Sequence, residues 1–151
     1  DKIYLIGDSP GHLELSEYNR ICKNFHGYPP PLDFKKELRN GLFVRKFIQK
    51  YNKIVSGCHD ISDGGIILAL AELAMRNKKG LKIQSKKSLR ELKKWLFCED
   101  QSRYLLIIKS DEEIIRYAKI KKVKIKKIAN VEGENFTVKN RFDIPIKKLI
   151  S

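Results

Sequence analysis

From Ile66 to Met75 the chain is apolar nearly all round, with Glu72 the one charge, and this run follows directly on Gly64-Gly65. A helix without a polar face has to be covered on several sides. The rest of the chain must therefore supply layers around it. With 151 residues, 42% of them hydrophobic, the sequence holds material for one core and for one domain over residues 1–151.

The flanking segments supply those layers. Lys2–Gly7 reads as a strand, and Leu13–Phe25 carries apolar residues near helical spacing. Tyr28-Pro29-Pro30-Pro31 is a stiff connector, because proline lacks the N–H a helix needs and restricts the residue before it. Asp33 is placed to cap a helix running to about Tyr51, with Phe34, Leu38, Phe43, Val44, Phe47 and Ile48 as its apolar stripe. Lys53–Gly57 and Leu81–Gln84 suit strands, Ser88–Leu96 a short helix, and Ser102–Lys109 gives the clearest strand pattern. A helix follows from Asp111 to about Lys119, its acidic residues placed where the helix dipole favours them. Val123–Ile150 offers two or three strands around turns at Glu132-Gly133-Glu134 and Lys139-Asn140. Strands interleaved with helices indicate an α/β (α+β) domain, a single layered unit with a mixed β-sheet covered by helices.

The charge is lopsided, with 32 Lys+Arg against 18 Asp+Glu and a net of +14. Nucleic acid is the first partner this suggests. However, 24 of the cations are Lys and only 8 are Arg, they are scattered, and no nucleic-acid-binding signature accompanies them. The densest run, Lys119–Lys127, alternates with Ile and Val like a strand with one solvated face. A basic module binding nucleic acid is the disfavoured alternative to a plainly solvated basic surface, which could instead face an acidic partner or nucleotide phosphates. No apolar run approaches the ~20 residues of a membrane span, so no membrane is expected. Three cysteines form no CxxC pair and leave one unpaired, which fits a reducing, cytoplasmic setting with buried, inert thiols. The chain starts at Asp1 and runs straight into a strand, as expected of a fragment of a longer chain.

Two segments could carry chemistry. In His59-Asp60-Ile61-Ser62-Asp63-Gly64-Gly65, glycines allow a ligand close to the backbone and the helix start offers N–H groups to phosphate. Asp60 and Asp63 could hold a hard cation such as Mg²⁺ beside phosphate oxygens. The same residues equally serve a plain structural purpose, with Ser62 or Asp63 capping the helix and His59 hydrogen-bonded in place. In the second segment, Phe97–Tyr104, Glu99, Asp100 and Gln101 could bind a polar ligand or metal, or Glu99 could pair with Arg103. Cys58 beside His59 suggests a nucleophile and base, but catalytic partners meet in space rather than in sequence.

In order, Ser16-Glu17-Tyr18, Pro29-Pro30-Pro31-Leu32-Asp33, Arg39-Asn40-Gly41, Cys58–Gly65 and Phe97–Tyr104 resemble one family, phosphoribosylformylglycinamidine synthase. The likeness is to the C-terminal domain of its large, ATP-using subunit in the small bacterial form, and runs from Ile3 to about Leu149. The His59–Gly65 motif alone is shared with the wider aminoimidazole ribonucleotide synthetase superfamily, which includes selenophosphate synthetase and thiamine-monophosphate kinase. Another member of that superfamily is therefore the second alternative. The chain departs from the family pattern in Leu13-Glu14-Leu15-Ser16, where Leu-Gly-Gly-Ser is usual, and at Cys98, where glycine is expected.

The resemblance implies the fold of the aminoimidazole ribonucleotide synthetase C-terminal domain. It also implies a part in ATP-dependent amidation of formylglycinamide ribonucleotide with glutamine-derived ammonia, in purine synthesis. It implies ATP or ADP and Mg²⁺ as cofactors. The partners it implies are the N-terminal domains of the same synthetase chain, a separate glutaminase subunit and a small bridging subunit. The chain resembles the second of two tandem copies, which lines an auxiliary nucleotide site, so no catalytic residue is expected in it. The auxiliary site would comprise His59, Asp60, Ser62, Asp63, Gly64, Gly65, Glu99, Asp100 and Gln101, with Asp60 and Glu99 as metal ligands. The isolated domain is expected to be inactive.

Overall fold

The computed structural model describes residues 1–24, 26–85 and 87–150. Seven strands form one mixed sheet: β1 (Lys2–Ile6), β2 (Val55–Asp60), β3 (Leu81–Ile83), β4 (Tyr104–Ile108), β5 (Ile125–Val131), β6 (Asn135–Val138) and β7 (Phe142–Pro145). Their spatial order is β2-β4-β1-β5-β3-β6-β7, antiparallel throughout except for the parallel pair β3–β6. Among the described residues six helices complete the fold: α1 (Glu17–Ile21), α2 (Phe34–Lys50), α3 (Gly65–Asn77), α4 (Leu89–Phe97), α5 (Asp111–Lys121) and α6 (Ile146–Ile150).

Strand alternation divides the apolar residues between two cores. Ile3, Leu5, Leu105 and Ile107 point to one face, where α3, α4 and α6 pack. Tyr4, Ile6, Leu106 and Ile108 point to the other, covered by α2 and α5 through Phe43, Phe47, Ile114 and Tyr117. β1 and β4 are thus buried on both faces, which is why both read as unbroken apolar runs. The expected layered α/β class is the one observed.

Several elements differ from expectation. Of the helix read over Leu13–Phe25 only Glu17–Ile21 is helical, capped by Ser16; Phe25 lies outside the described residues, as does Ser151 at the end of the domain read over 1–151. The Lys119–Lys127 run is not one strand. It finishes α5, turns at Lys122 in the left-handed region (φ 53°) and enters β5 at Ile125. Helix periodicity continues to Lys121 because Tyr117 and Ala118 are buried while the lysines face solvent. α3 is covered on one side only: Leu70 and Ala74 are fully buried, but Leu68 is 43% exposed. On α2 the stripe buries Phe43, Val44 and Phe47, whereas Phe34 and Leu38 stand in solvent. Of the three thiols only Cys98 is buried; Cys22 and Cys58 are exposed, the latter because β2 is an edge strand.

Candidate functional site

β1 and β2 end, and β4 and β5 begin, at the same edge of the molecule, since β4 and β5 run antiparallel to β1 and β4 runs antiparallel to β2. The two segments singled out in the sequence therefore meet there, with the loop after β1 between them and α1. Glu99 makes the junction. Its Oε1 accepts the Gly64 N–H at 2.8 Å and the Glu17 N–H at 2.8 Å, so one carboxylate closes the starts of α3 and α1. Neither Ser62 nor Asp63 caps α3: the N-cap is Gly64, left-handed at φ 77°, with no side-chain capping bond of its own. The tight glycine turn directs the Gly64 N–H toward Glu99 and leaves Ser62 and Asp63 exposed. Gly65 has φ +69°, and a Cβ there would lie 2.5 Å from the Cys98 carbonyl oxygen and 2.7 Å from that of Leu96. Only glycine lets α3 begin against the end of α4.

The remaining residues of the second segment are braces. Asp100 is buried, and its Oδ2 accepts the Gly11 N–H at 2.9 Å and the His12 N–H at 3.4 Å, fixing the loop after β1. Arg103 does not pair with Glu99. It is the largest fully buried side chain, and its guanidinium donates to the Asp100 carbonyl (2.7 Å), Ser9 Oγ (3.0 Å), Cys98 Sγ (3.3 Å) and the Cys98 carbonyl (2.7 Å). Fork geometry suits this, because the donors diverge onto separate acceptors. Burial pushes the Cys98 thiol up to about 11, so it stays protonated beside that cation. Buried Asn40 donates through Nδ2 to the Ser102 carbonyl at 2.8 Å, and Ser102 holds φ 64°. Tyr104 donates its hydroxyl to Glu37; burial first, then this bond, pushes it up to about 12.

His59 and Asp60 point to opposite faces of β2. His59 lies opposite Leu105 on the α3 side, with Nε2 3.0 Å from Glu72 Oε2, which makes it a tethered histidine. Asp60 lies opposite Tyr104, with its side chain 71% exposed. Gln101 is exposed. The nine expected site residues thus share one edge but differ in freedom. Asp60, Ser62, Asp63 and Gln101 present their side chains to solvent, while His59, Gly64, Gly65, Glu99 and Asp100 hold the frame. Among the described residues no group of three or more His, Cys, Asp or Glu forms a ready metal cage. Asp60, whose Oδ1 lies 3.7 Å from His59 Nδ1, and Glu99 are carboxylates of the kind a hard cation accepts beside water or phosphate oxygens. The sequence reading missed the bracing by Arg103, Asn40 and the Gly11-His12 amides. The one signal was position, an Arg after two acids at the start of a strand, and it marks the segment rather than the burial of Arg103.

The family model described as "AIR synthase related protein, C-terminal domain" matches residues 1–139. Phosphoribosylformylglycinamidine synthase subunit PurL of Bartonella tribocorum is 40% identical over 154 residues, which cover 99% of this chain and 20% of that protein. PurL of Thermotoga maritima complexed with FGAR superposes with a TM-score of 0.77 at 16% identity, over 99% of this chain and 28% of that one. The same protein complexed with ATP gives 0.72 at 16% identity (99% and 25%), and the PurLQS structure gives 0.71 at 17% (99% and 26%). At those identities the structures speak for the fold. The chain spans about a fifth of the length of the curated relative. A family match across this much of the chain, on a sheet whose two marked segments meet at Glu99, makes the chain a member of the AIR synthase related C-terminal domain family.

Proposed function

We propose that this chain is the C-terminal domain of an ATP-dependent amidoligase, phosphoribosylformylglycinamidine synthase, acting in purine synthesis. The whole protein would convert formylglycinamide ribonucleotide, ATP and glutamine-derived ammonia to formylglycinamidine ribonucleotide. The observation that carries this is collinear similarity along 99% of the chain to a protein of that name, at 40% identity. In such chemistry the amide oxygen is phosphorylated and ammonia displaces phosphate from the imidate. Within the whole protein, this domain's edge would line a nucleotide site of auxiliary, structural character. Asp60, Ser62, Asp63 and Gln101 would face the nucleotide, and the frame held by Glu99 and Asp100 would fix their positions. Mg²⁺, when bound with the nucleotide, neutralises phosphate charge; Asp60 and the second oxygen of Glu99 are the residues that would hold it. The partners would be the upstream domains of the same chain, a glutaminase subunit and a small bridging subunit, in the cytoplasm. The isolated domain would make no product, because no residue here is assigned a catalytic step.

The test is Asp60→Asn in the full-length subunit. The expected result is near-normal turnover with weaker retention of bound nucleotide or lower thermal stability. Loss of turnover with retention and stability intact would overturn the auxiliary assignment. Product formation by the 151-residue chain, given ATP, Mg²⁺, ammonia and substrate, would overturn its dependence on upstream domains.

A further inference from the structure

A groove of about 630 Å³ lies between α4, α1 and the β6–β7 hairpin, and none of the nine nucleotide-site residues lines it. Its walls are apolar: Tyr18 and Phe97, whose rings pack at 4.8 Å, and Leu89, Leu96 and Phe142 around them. Leu89 is 64% exposed, an unusual cost for a helix that has a buried face elsewhere through Leu92 and Trp95. Three cations stand in the lining, Arg90 and Lys93 one turn apart on α4 and Arg141 on the hairpin, and no carboxylate stands with them. Lys93 Nζ sits 5.4 Å over the Tyr18 ring. Neither guanidinium has an ion-pair partner among the described residues. Two of the chain's 8 arginines and one of its 24 lysines thus line this one apolar groove. The volume falls within the ~300–1,000 Å³ typical of small-ligand sites.

We propose that this groove binds a small organic anion, with an aromatic or branched apolar body seated between Phe97, Tyr18 and Phe142 and a phosphate or carboxylate facing Arg90 and Arg141. Arginine presents a planar pair of donors that matches either anion, and the aromatic walls supply stacking for the body. The proposal is independent of the nucleotide site at the sheet edge.

The test titrates the full-length protein that carries this domain, ¹⁵N-labelled in this segment alone, with 2-naphthyl phosphate and, in parallel, with the neutral 2-naphthol, following amide shifts. The expected result is saturable shifts clustered at Leu89, Phe97, Arg141 and Phe142, with the phosphate bound more tightly than the naphthol. The double variant Arg90→Glu/Arg141→Glu should weaken 2-naphthyl phosphate by roughly tenfold or more and leave 2-naphthol unchanged. Both side chains are exposed and unpaired, so spectral dispersion should survive the change. Arg45→Glu, an exposed charge on α2, should alter affinity less than twofold. Equal affinity for the neutral probe would overturn the proposal and leave the groove as an apolar face for a protein neighbour. Shifts centred outside the groove, no saturable binding, or an equal loss in Arg45→Glu would each overturn it as well.

Discussion

Glu99 accepts two main-chain N–H groups from helices far apart in the chain, and one carboxylate oxygen does both. Replacing it with Ala strands both donors, at a cost of about 2–3 kcal/mol, measurable as a shift in the urea midpoint. Glu99→Gln keeps an acceptor and should lose less than half of that; equal losses in the two variants would mean that packing rather than acceptance matters. Leu15 holds φ 56° where the resembling family has glycine. Left-handed backbone costs a leucine ~1–2 kcal/mol, against ~0.5–1 kcal/mol of extra chain entropy lost by glycine. Leu15→Gly should thus be neutral to slightly stabilising, and a loss of more than about 1 kcal/mol would contradict the strain. Tyr104 binds its proton more tightly folded than unfolded, since its ordinary value of 10.0 is raised to about 12 by burial and Glu37. This contribution to stability is complete below about pH 10 and drains away between about 10 and 12. Tyr104→Phe should flatten that part of the alkaline unfolding curve. At this scale the sequence was half legible. Asp60 and Asp63 could be picked out by type and spacing, but the direction of a side chain on β2 depends on which strand it joins. No pattern marks Arg103 as buried, because its acceptors are carbonyls, a hydroxyl and a thiol brought in by folding.

Gly65 and Gly133 share a positive φ, +69° and +70°, and differ in what surrounds them. A Cβ at Gly133 meets nothing within 4 Å, so Gly133→Ala should cost only the backbone strain, about 1 kcal/mol. At Gly65 the Cβ would press into two carbonyl oxygens of another element, neither of which can move without shifting the end of α4. Gly65→Ala should cost at least ~3 kcal/mol, with the excess over Gly133 reporting the contact between α3 and α4. Similar losses at the two sites would remove that reading. The elements themselves were largely legible. Asp33 and Ser88 cap α2 and α4 as side-chain chemistry predicts, and Ser88 forms a full capping box with Glu91. The Lys119–Lys127 run misled because a helix end and a strand start, joined at Lys122, together mimic period-2 alternation. α6 carried no signal, being a single turn whose buried Ile146 depends on α3 for its neighbours.

Across the whole molecule the apolar surface is unevenly finished. Tyr28, Leu32, Phe34 and Leu38 are each more than half exposed along the connector and the start of α2, an apolar patch on one stretch of the surface. Phe34→Glu/Leu38→Glu should leave the melting temperature of the chain within about 2 °C and reduce the binding of 1-anilinonaphthalene-8-sulfonate; unchanged dye binding would place the apolar surface elsewhere. The strand order has a consequence of its own. Within this domain β1 is the first strand in chain order, yet its hydrogen-bonding neighbours are β4 and β5, with Lys2 opposite Ile108 on one side and Asn130 on the other. Neither edge of β1 can be satisfied until most of the domain has emerged, so nascent β1 waits as an unpaired apolar strand that a chaperone could hold. Closure of such distant pairings is slow, and a polypeptide stopped before β5 would carry a centre strand with one empty side. For this sheet, the first strand in chain order gains both of its neighbours only once the fifth has been made.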